Sequence, residues 1–320
     1  MNRRFALIQA LVSLVALAAV VWWASKQESP HIPTHGDAIA WLLLGVGLYA
    51  LATLVRAERW HQILEVTGVH ARRRDVYALT TVGYMGNNVL PARAGEALRV
   101  VLLAQRCNGS KRTLLGSVVA ERVLDVIALV AIFIVTVYGV LSASEVLPTD
   151  RPILAAGIGV LLLLGGAIAI WVLRRHHVFE RARDWLRPLA DAPRALLNRR
   201  GAALLAGTFV LWAVEAAVYL AVARALDLDF SMSGALYLVA LTNFVAALPA
   251  APGSIGTFDA AVLFGAKALD ATSSAAVSYV ILLRFVLYVP ITIVGLVVLV
   301  TRYGGWSRLR SATRLEASRA

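Results

Sequence analysis

The chain has 320 residues, of which 59% are hydrophobic and 16% are charged. Soluble domains are about 45–50% apolar and about 25% charged, so this composition excludes a soluble enzyme and a disordered chain. Lys and Arg exceed Asp and Glu by 31 to 19, which gives a formal net charge of +12. Basic loops on the cytoplasmic side of a membrane protein explain such an excess, and we therefore expect no binding to nucleic acid. The single cysteine, Cys107, excludes an internal disulfide.

Six stretches are apolar and long enough to cross a hydrocarbon core of about 30 Å as helices. They are residues 5–24, 38–55, 114–141, 153–173, 202–223 and 277–300. The first is too long for the apolar part of a signal peptide, and no small-x-small cleavage site follows it. We therefore predict an all-α polytopic membrane protein with six or more transmembrane helices and an N-terminal anchor helix within residues 1–37.

Two further segments, 75–105 and 232–269, are apolar but broken in the middle by Pro and Gly. Pro and Gly free backbone groups that lipid cannot satisfy, so such breaks are tolerated only inside protein or beside water. Each segment therefore predicts a re-entrant hairpin that enters the membrane and returns. The predicted break residues are Pro91, Gly95, Pro249, Pro252, Gly253 and Gly256.

The order span, hairpin, span occurs twice, in residues 38–141 and 201–300. By the loop charges, the first hairpin enters from the cytoplasm and the second from outside, which is typical of an inverted-topology repeat in a transporter. We treat residues 1–320 as a single integral membrane domain. A linking helix and a basic cytoplasmic loop occupy 153–200, and a basic cytoplasmic tail occupies 301–320.

The positions of the arginines predict the orientation, because cytoplasmic loops are enriched in Arg and Lys. Loops on one side would carry Arg56, Arg59, the run 72–74, the arginines of 174–200 and those of the tail. The segments on the other side would hold only Lys26, Arg151 and Arg224. This asymmetry predicts that both termini are cytoplasmic.

Charged residues also fall inside the predicted spans and hairpins, where they are costly. Because Arg suits the bidentate capture of phosphate, these charges predict a cavity for an anionic headgroup. The alternatives are a structural ion pair between Arg122 and Asp125, and asparagines that only satisfy loosened backbone. Glu215 could close the outer end of the cavity or make an isolated polar contact. The candidate binding residues are Asn88, Arg93, Glu96, Arg99, Glu121, Arg122, Asp125, Asn243, Asp259 and Arg284.

No Walker loop, GxGxxG, GxSxG or HExxH motif is found in the sequence. The histidines fall in predicted loops without metal-ligand spacing. We therefore expect no cofactor, no metal and no enzymatic activity, and transport that is either downhill or coupled to an ion.

Three motifs resemble those of a known membrane family. They are Asn88-x-x-Pro91-x-Arg93-x-Gly95-Glu96-x-x-Arg99, then Glu121-Arg122-x-x-Asp125, then Pro249-x-x-Pro252-Gly253-x-Ile255-Gly256-x-x-Asp259. The chain is similar in these motifs to the lysylphosphatidylglycerol synthase transmembrane family, the flippase-like membrane region of the multiple peptide resistance factor. The resemblance implies a lipid-translocating domain in a prokaryotic cytoplasmic (inner) membrane, without the synthase domain. Ser254 and Asp259 depart from the residues common in that family.

The leading hypothesis is a flippase that moves a phospholipid, or a lipid-linked anionic or aminoacylated headgroup. An ion-coupled transporter of a small anionic solute is an alternative that would use the same hairpins. A membrane-embedded lipid-modifying transferase is a further alternative, with Glu121 and Asp125 as its reactive pair. The expected partners are membrane lipids, with a separate lipid-modifying enzyme and a second copy of the chain as candidates.

Overall fold

The computed structural model describes residues 35–90, 93–137, 192–247 and 252–304, which form helices and no strands. A 3-10 turn at Pro252–Ser254 lies between the helices Met232–Ala247 and Thr257–Ala268. The main helices are α1 Gly36–Val66, α2 Arg73–Val89, α3 Gly95–Ala104, α4 Lys111–Thr136, α5 Arg199–Arg224, α6 Met232–Ala247, α7 Thr257–Ala268 and α8 Ser273–Tyr303.

Three of these helices, α1, α5 and α8, are long and apolar enough to cross a membrane. They confirm helices over the predicted spans 38–55, 202–223 and 277–300. Helix α4 covers most of the predicted span 114–141, but its three central charges lower its hydropathy. The predicted spans 5–24 and 153–173 lie outside the described residues.

The outer surface of the helices is apolar, as a lipid-facing surface requires. Leu43 on α1, Val210 on α5, Phe264 on α7 and Ile293 on α8 are among many exposed large apolar side chains. In water such a surface would be a strong liability for aggregation. The described fold is therefore that of an all-helical membrane protein.

The first broken segment is a pair of antiparallel helices, α2 and α3. Gly83 packs against Arg99, and Gly86 packs against Gly95. A Cβ atom at Gly95 would collide with the carbonyl oxygen of Gly83 and the backbone of Asn87. Gly95 was predicted as a break residue, but it is the first residue of α3. Its lack of a side chain allows the two arms of the hairpin to approach each other closely.

The second broken segment is also a pair of antiparallel helices, α6 and α7. Gly234 packs against Leu269, and Gly265 packs against Leu238. Gly253 and Gly256 lie between the arms with φ of 64° and 85°, a backbone region that favours glycine. Pro91 and Pro249 lie outside the described residues. Whether either hairpin is re-entrant remains a prediction.

The packing of the first four helices has a counterpart among the last four. Helix α2 packs on α1, α3 and α8, and α6 packs correspondingly on α5, α7 and α4. At the centre α1 packs on α5 in antiparallel fashion, because Gly45 lies near Ala221 while Arg59 bonds to Thr208. The first helices of the two halves thus run in opposite directions where they meet.

The described interior contains three apolar clusters, and polar residues separate the two largest of them. Along α4, one cluster includes Leu114 and Val118, and the other includes Ala128 and Ile132. The charged residues of α4, at 121–125, lie between these positions. The polar site is therefore an internal layer of the helix bundle.

One end of the bundle is basic, and we call it the basic end. It contains the start of α2, the end of α8 and the connection between α3 and α4. Asp75 of α2 joins these parts, because it lies 3.0 Å from Arg302 of α8 and 3.2 Å from Arg106 in the connection. The opposite, acidic end carries Asp37, Asp227, Asp229, Asp270 and Arg224. The basic end is defined by Arg72, Arg73, Arg74, Arg106, Lys111, Arg112, Arg199, Arg200 and Arg302.

Replacing Asp75 by Asn should destabilise the bundle, because it removes the buried carboxylate that links α2, Arg106 and α8. We expect a loss of about 1–3 kcal/mol and a lower thermal unfolding midpoint of the detergent-solubilised protein. Asp37→Asn is the matched control, because Asp37 is also an acidic residue in the first turn of a helix but is exposed. Equal shifts for the two variants would contradict a linking role for Asp75.

Candidate functional site

Two arginines from different helices hold one buried carboxylate. Glu121 on α4 is 1% exposed. Its Oε1 lies 3.2 Å from Nη2 of Arg59 on α1, and its Oε2 lies 2.6 Å from Nη2 of Arg99 on α3. The guanidinium of Arg99 also lies 4.4 Å from the centre of the Trp60 ring. Paired in this way, the three charges are compatible with burial.

The pairing continues from Arg59 toward the first break. Arg59 Nη1 lies 2.7 Å from one oxygen of Asp125, and Arg122 Nη1 lies 3.1 Å from the other. Arg122 Nη2 is 3.1 Å from Glu96, which is 3.8 Å from Arg93. We call this alternating series the ion chain: Arg99, Glu121, Arg59, Asp125, Arg122, Glu96 and Arg93.

The ion chain brings together most of the predicted binding residues of the first half. The pair between Arg122 and Asp125 exists, but it is one link of a longer series. Arg93 also donates from Nη1 to the carbonyl oxygen of Ala246, at 3.3 Å. This bond connects the first break to the end of α6, so the ion chain ends where the two hairpins meet.

The second break is held by one arginine, Arg284 of α8. It forms a two-point ion pair with Asp259 and donates to the carbonyl oxygens of Gly253 and Ser254 at 3.2 and 3.3 Å. Asp259 also accepts from the backbone N–H of Gly256, at 2.8 Å. These bonds satisfy backbone groups that the turn releases.

Arg122 and Arg284 occupy the same place in their helices. Each is the twelfth residue, counted from Lys111 in α4 and from Ser273 in α8. Each also pairs with a carboxylate in the first turn of the returning hairpin arm, Glu96 or Asp259. The two halves therefore share an arrangement as well as an order of helices.

The two predicted asparagines make different contacts. Asn88 donates to Thr292 Oγ1 at 2.9 Å and so joins the end of α2 to α8. Asn243 donates to the carbonyl oxygen of Val239 within its own helix, at 2.9 Å. Asn243 therefore makes a hydrogen bond to the backbone, which was one of the two alternatives for the asparagines.

A cavity of about 120 Å³ lies where the breaks meet. A water molecule needs about 10–15 Å³ of such space, so the cavity can hold several waters or a small polar group. Its lining is rich in charged, amide and aromatic side chains. Among the lining residues are Tyr49, Arg56, Tyr84, Asn87, Asn88, Arg93, Arg122, Asp125, Trp212, Glu215, Tyr219, Asn243, Gly253, Ser254 and Tyr288.

Several predicted binding residues lie behind this lining. Glu96 and Glu121 pair with arginines of the ion chain, one of which is Arg99. Asp259 and Arg284 hold the second break. Among the residues that the structure describes, the direct lining includes only part of the predicted set. That part is Asn88, Arg93, Arg122, Asp125 and Asn243.

The prediction that Arg56 and Arg59 lie in a cytoplasmic loop is wrong. Helix α1 continues to Val66 and buries both side chains, each 5% exposed. The apolar residues Trp60, Ile63 and Leu64 continue the helical spacing, and this signal could have revealed the extension. Glu215 pairs with Arg56, whose guanidinium lies 5.6 Å from the Tyr84 ring and 5.3 Å from the Trp212 ring.

An apolar outer surface around an interior of paired charges defines this chain as a multi-pass membrane protein. Residues 7–295 match the family model described as the lysylphosphatidylglycerol synthase TM region. The chain belongs to this family, as the motifs indicated.

Curated relatives include two archaeal UPF0104 membrane proteins. The chain is 22% identical to one from Methanothermobacter thermautotrophicus, over 78% of this chain and 81% of the relative. It is 29% identical to one from Pyrococcus horikoshii, over 40% of this chain and 38% of the relative. Glycosyltransferase AglD of Haloferax volcanii is 24% identical over 89% of this chain, which spans 52% of AglD. No solved structure matches the chain.

Within the described ranges, no group of three or more His, Cys, Asp or Glu side chains is placed to hold a metal ion. The side chains that line the cavity supply guanidinium, carboxylate, indole, phenol and amide groups. Among these groups, guanidinium forms strong, two-point hydrogen bonds with carboxylate and phosphate.

Replacing Glu121 by Gln should leave Arg59 and Arg99 buried without their shared counter-charge. We expect a loss of about 3–5 kcal/mol in the free energy of unfolding, measured with the protein in detergent. Glu65→Gln is the control, because Glu65 lies on α1 with a half-exposed side chain. A Glu121→Gln protein as stable as the control would contradict the interdependence of the ion chain.

Proposed function

We propose that this protein moves a phospholipid, or a lipid-linked polar headgroup, across a membrane. The observation that carries the proposal is the arginine-lined cavity where the two hairpin breaks meet, inside a bundle whose outer surface is apolar. The headgroup would enter the cavity while the apolar chains stay in the bilayer. Membership of the lysylphosphatidylglycerol synthase TM region family supports a lipid-related role.

Exposed apolar residues beside both breaks favour a lipid over a soluble anion. Val89 follows Asn88 at the first break and is 52% exposed, and Ile255 follows Ser254 at the second and is 41% exposed. A cavity for a small soluble anion needs no apolar rim. Lipid tails would contact such a rim while the headgroup contacts arginine.

The contacts of the charged residues argue against a transferase that uses Glu121 and Asp125. Both oxygens of each carboxylate are paired with arginine, which leaves neither free to act as a base. The name glycosyltransferase belongs to AglD, of which the matched region is about half. We therefore favour a non-enzymatic role. A separate enzyme that supplies a modified lipid, and a second copy of the chain, remain proposed partners.

We further propose that the two halves form an inverted-topology repeat and that the basic end is cytoplasmic. The antiparallel packing of α1 on α5 and the matched places of Arg122 and Arg284 support the repeat. The excess of arginine at the basic end supports the orientation, with both termini in the cytoplasm of a prokaryote and the hairpins re-entrant in its inner membrane. Rocking of one half against the other would then expose the cavity alternately to each side.

Purified protein in liposomes should accelerate the transfer of headgroup-labelled phosphatidylglycerol between leaflets, measured by loss of fluorescence to an impermeant reductant. Arg122→Gln and Arg93→Gln should each slow this transfer by at least about tenfold, because each removes a charged donor from the cavity. Arg93 has a side chain 42% exposed, so Arg93→Gln should fold even if Arg122→Gln does not.

Arg224→Gln is the matched control, because Arg224 is an exposed arginine at the acidic end and should leave the rate unchanged. If the wild-type protein moves no phosphorus-containing lipid in either direction, the proposed function fails. If the wild-type protein moves lipid but both cavity variants transfer it at the rate of the control variant, the headgroup does not pass through the cavity.

The orientation can be tested with Cys107, the single cysteine of the chain, which lies in the connection between α3 and α4 at the basic end. A membrane-impermeant maleimide should label Cys107 in inside-out vesicles and not in intact spheroplasts. In the double variant Cys107→Ser, Asp227→Cys, the pattern should reverse, because residue 227 is at the acidic end. Labelling of Cys107 from outside would contradict the proposed orientation.

A further inference from the structure

Arg56 is a buried arginine with one N–H group that makes no hydrogen bond to the described residues. Its side chain is 5% exposed, its Nη2 contacts Glu215, and the rings of Tyr84 and Trp212 lie close to its guanidinium. Its Nη1 has no acceptor among the described residues. The stacking and the ion pair fix the guanidinium, so this donor has a set direction before any ligand arrives.

Trp212 is a second buried donor in the same wall. The residue is 3% exposed, and its indole Nε1 also has no acceptor in the described part of the chain. A buried donor without a partner costs free energy, because it has lost its hydrogen bonds to water. Both residues line the cavity, and each has one buried N–H donor without an acceptor among the described residues. An oxyanion would satisfy both.

The charges around the cavity do not balance. The ion chain contains four arginines, Arg59, Arg93, Arg99 and Arg122, and three carboxylates, Glu96, Glu121 and Asp125. The pairs Arg56 with Glu215 and Arg284 with Asp259 are neutral as units. The described site therefore carries one surplus positive charge, which a single negative charge would neutralise.

We propose that the ligand is a phosphodiester with one negative charge, and that Arg56 Nη1 and Trp212 Nε1 hold its phosphate oxygens. Arg93 and Arg122, which line the same cavity, supply the surplus charge. This assignment rests on the proposed function, because it takes the phosphodiester to be the headgroup linkage of a lipid. A phosphomonoester carries up to two negative charges at neutral pH and would overcompensate the site.

Asn87 adds a complementary acceptor. It lines the cavity, and its Oδ1 is buried without a donor among the described residues. A hydroxyl or amino group beyond the phosphate would satisfy it. The structure thus assigns the phosphate to the arginine–tryptophan wall and a donor-bearing headgroup to the end of α2.

The test is the dissociation constant of soluble probes, measured by titration calorimetry with the full-length protein in detergent. The probes are dihexanoyl-phosphatidylglycerol, dihexanoyl-phosphatidic acid, dihexanoylglycerol and inorganic phosphate. The monoanionic diester should bind most tightly. Arg56→Lys keeps the charge and loses the fixed fork, and Trp212→Phe keeps the ring and loses the N–H. Each should weaken binding of the diester by at least about tenfold.

The controls are Arg224→Lys and Trp41→Phe, which alter an exposed arginine and an exposed tryptophan and should not change the affinity. Equal binding of dihexanoylglycerol, or unchanged affinity in both cavity variants, would overturn the proposal. Equal binding of inorganic phosphate would overturn the lipid as the source of the anion. Binding of the diester through Arg56 without movement of lipid in liposomes would overturn the proposed function and leave this site standing.

Discussion

The structure depends on the rule that an arginine buried in a membrane protein needs a counter-charge. Glu121 satisfies this rule for two helices at once, because Arg59 comes from α1 and Arg99 from α3. Asp125 then carries the pairing on to Arg122. The first hairpin, α1 and α4 are thus fixed to one another by charge, at a level between the two largest apolar clusters.

The two halves use their corresponding arginines differently. In the second half, Arg284 bonds to Asp259 and to two carbonyl oxygens of the break, so it serves the backbone. In the first half, Arg93 and Arg122 border the cavity. The shared arrangement thus holds the backbone of the break in one half and borders the cavity in the other. The ion chain, which has one more arginine than it has carboxylates, lies in the first half.

Much of the fold follows from patterns in the sequence. Long apolar runs predicted α1, α5 and α8, and Pro and Gly located both breaks. The charged candidates were recognisable because charge is rare in such segments. Arg56 and Arg59 were not recognised as buried residues, because the change from apolar to polar residues after Val55 resembles the end of a span. The spacing of the apolar residues that follow indicates that the helix continues, but only its packing against α4 and α5 shows that both arginines are buried.

Which residues touch the cavity could not be predicted for a related reason. Spacing along one helix places Glu121, Arg122 and Asp125 within one turn of one another, but it does not determine which of them faces a neighbouring helix. Arg99 and Glu121 are buried by contacts between helices, and Trp212 and Tyr84 carry no charge to attract notice. Aromatic walls around an arginine become visible only once three helices have been assembled.

The charges of α4 also bear on biosynthesis. Glu121, Arg122 and Asp125 each add about 2.5–3.5 kcal/mol to the cost of inserting a helix centre into lipid. Helix α4 is therefore a poor candidate for independent entry from the translocon. Arg59 precedes it in the chain and already offers the charge that Glu121 and Asp125 need. We therefore expect α1 to assist the integration of α4 into the membrane. Because α1 is translated first, it is present before α4 emerges.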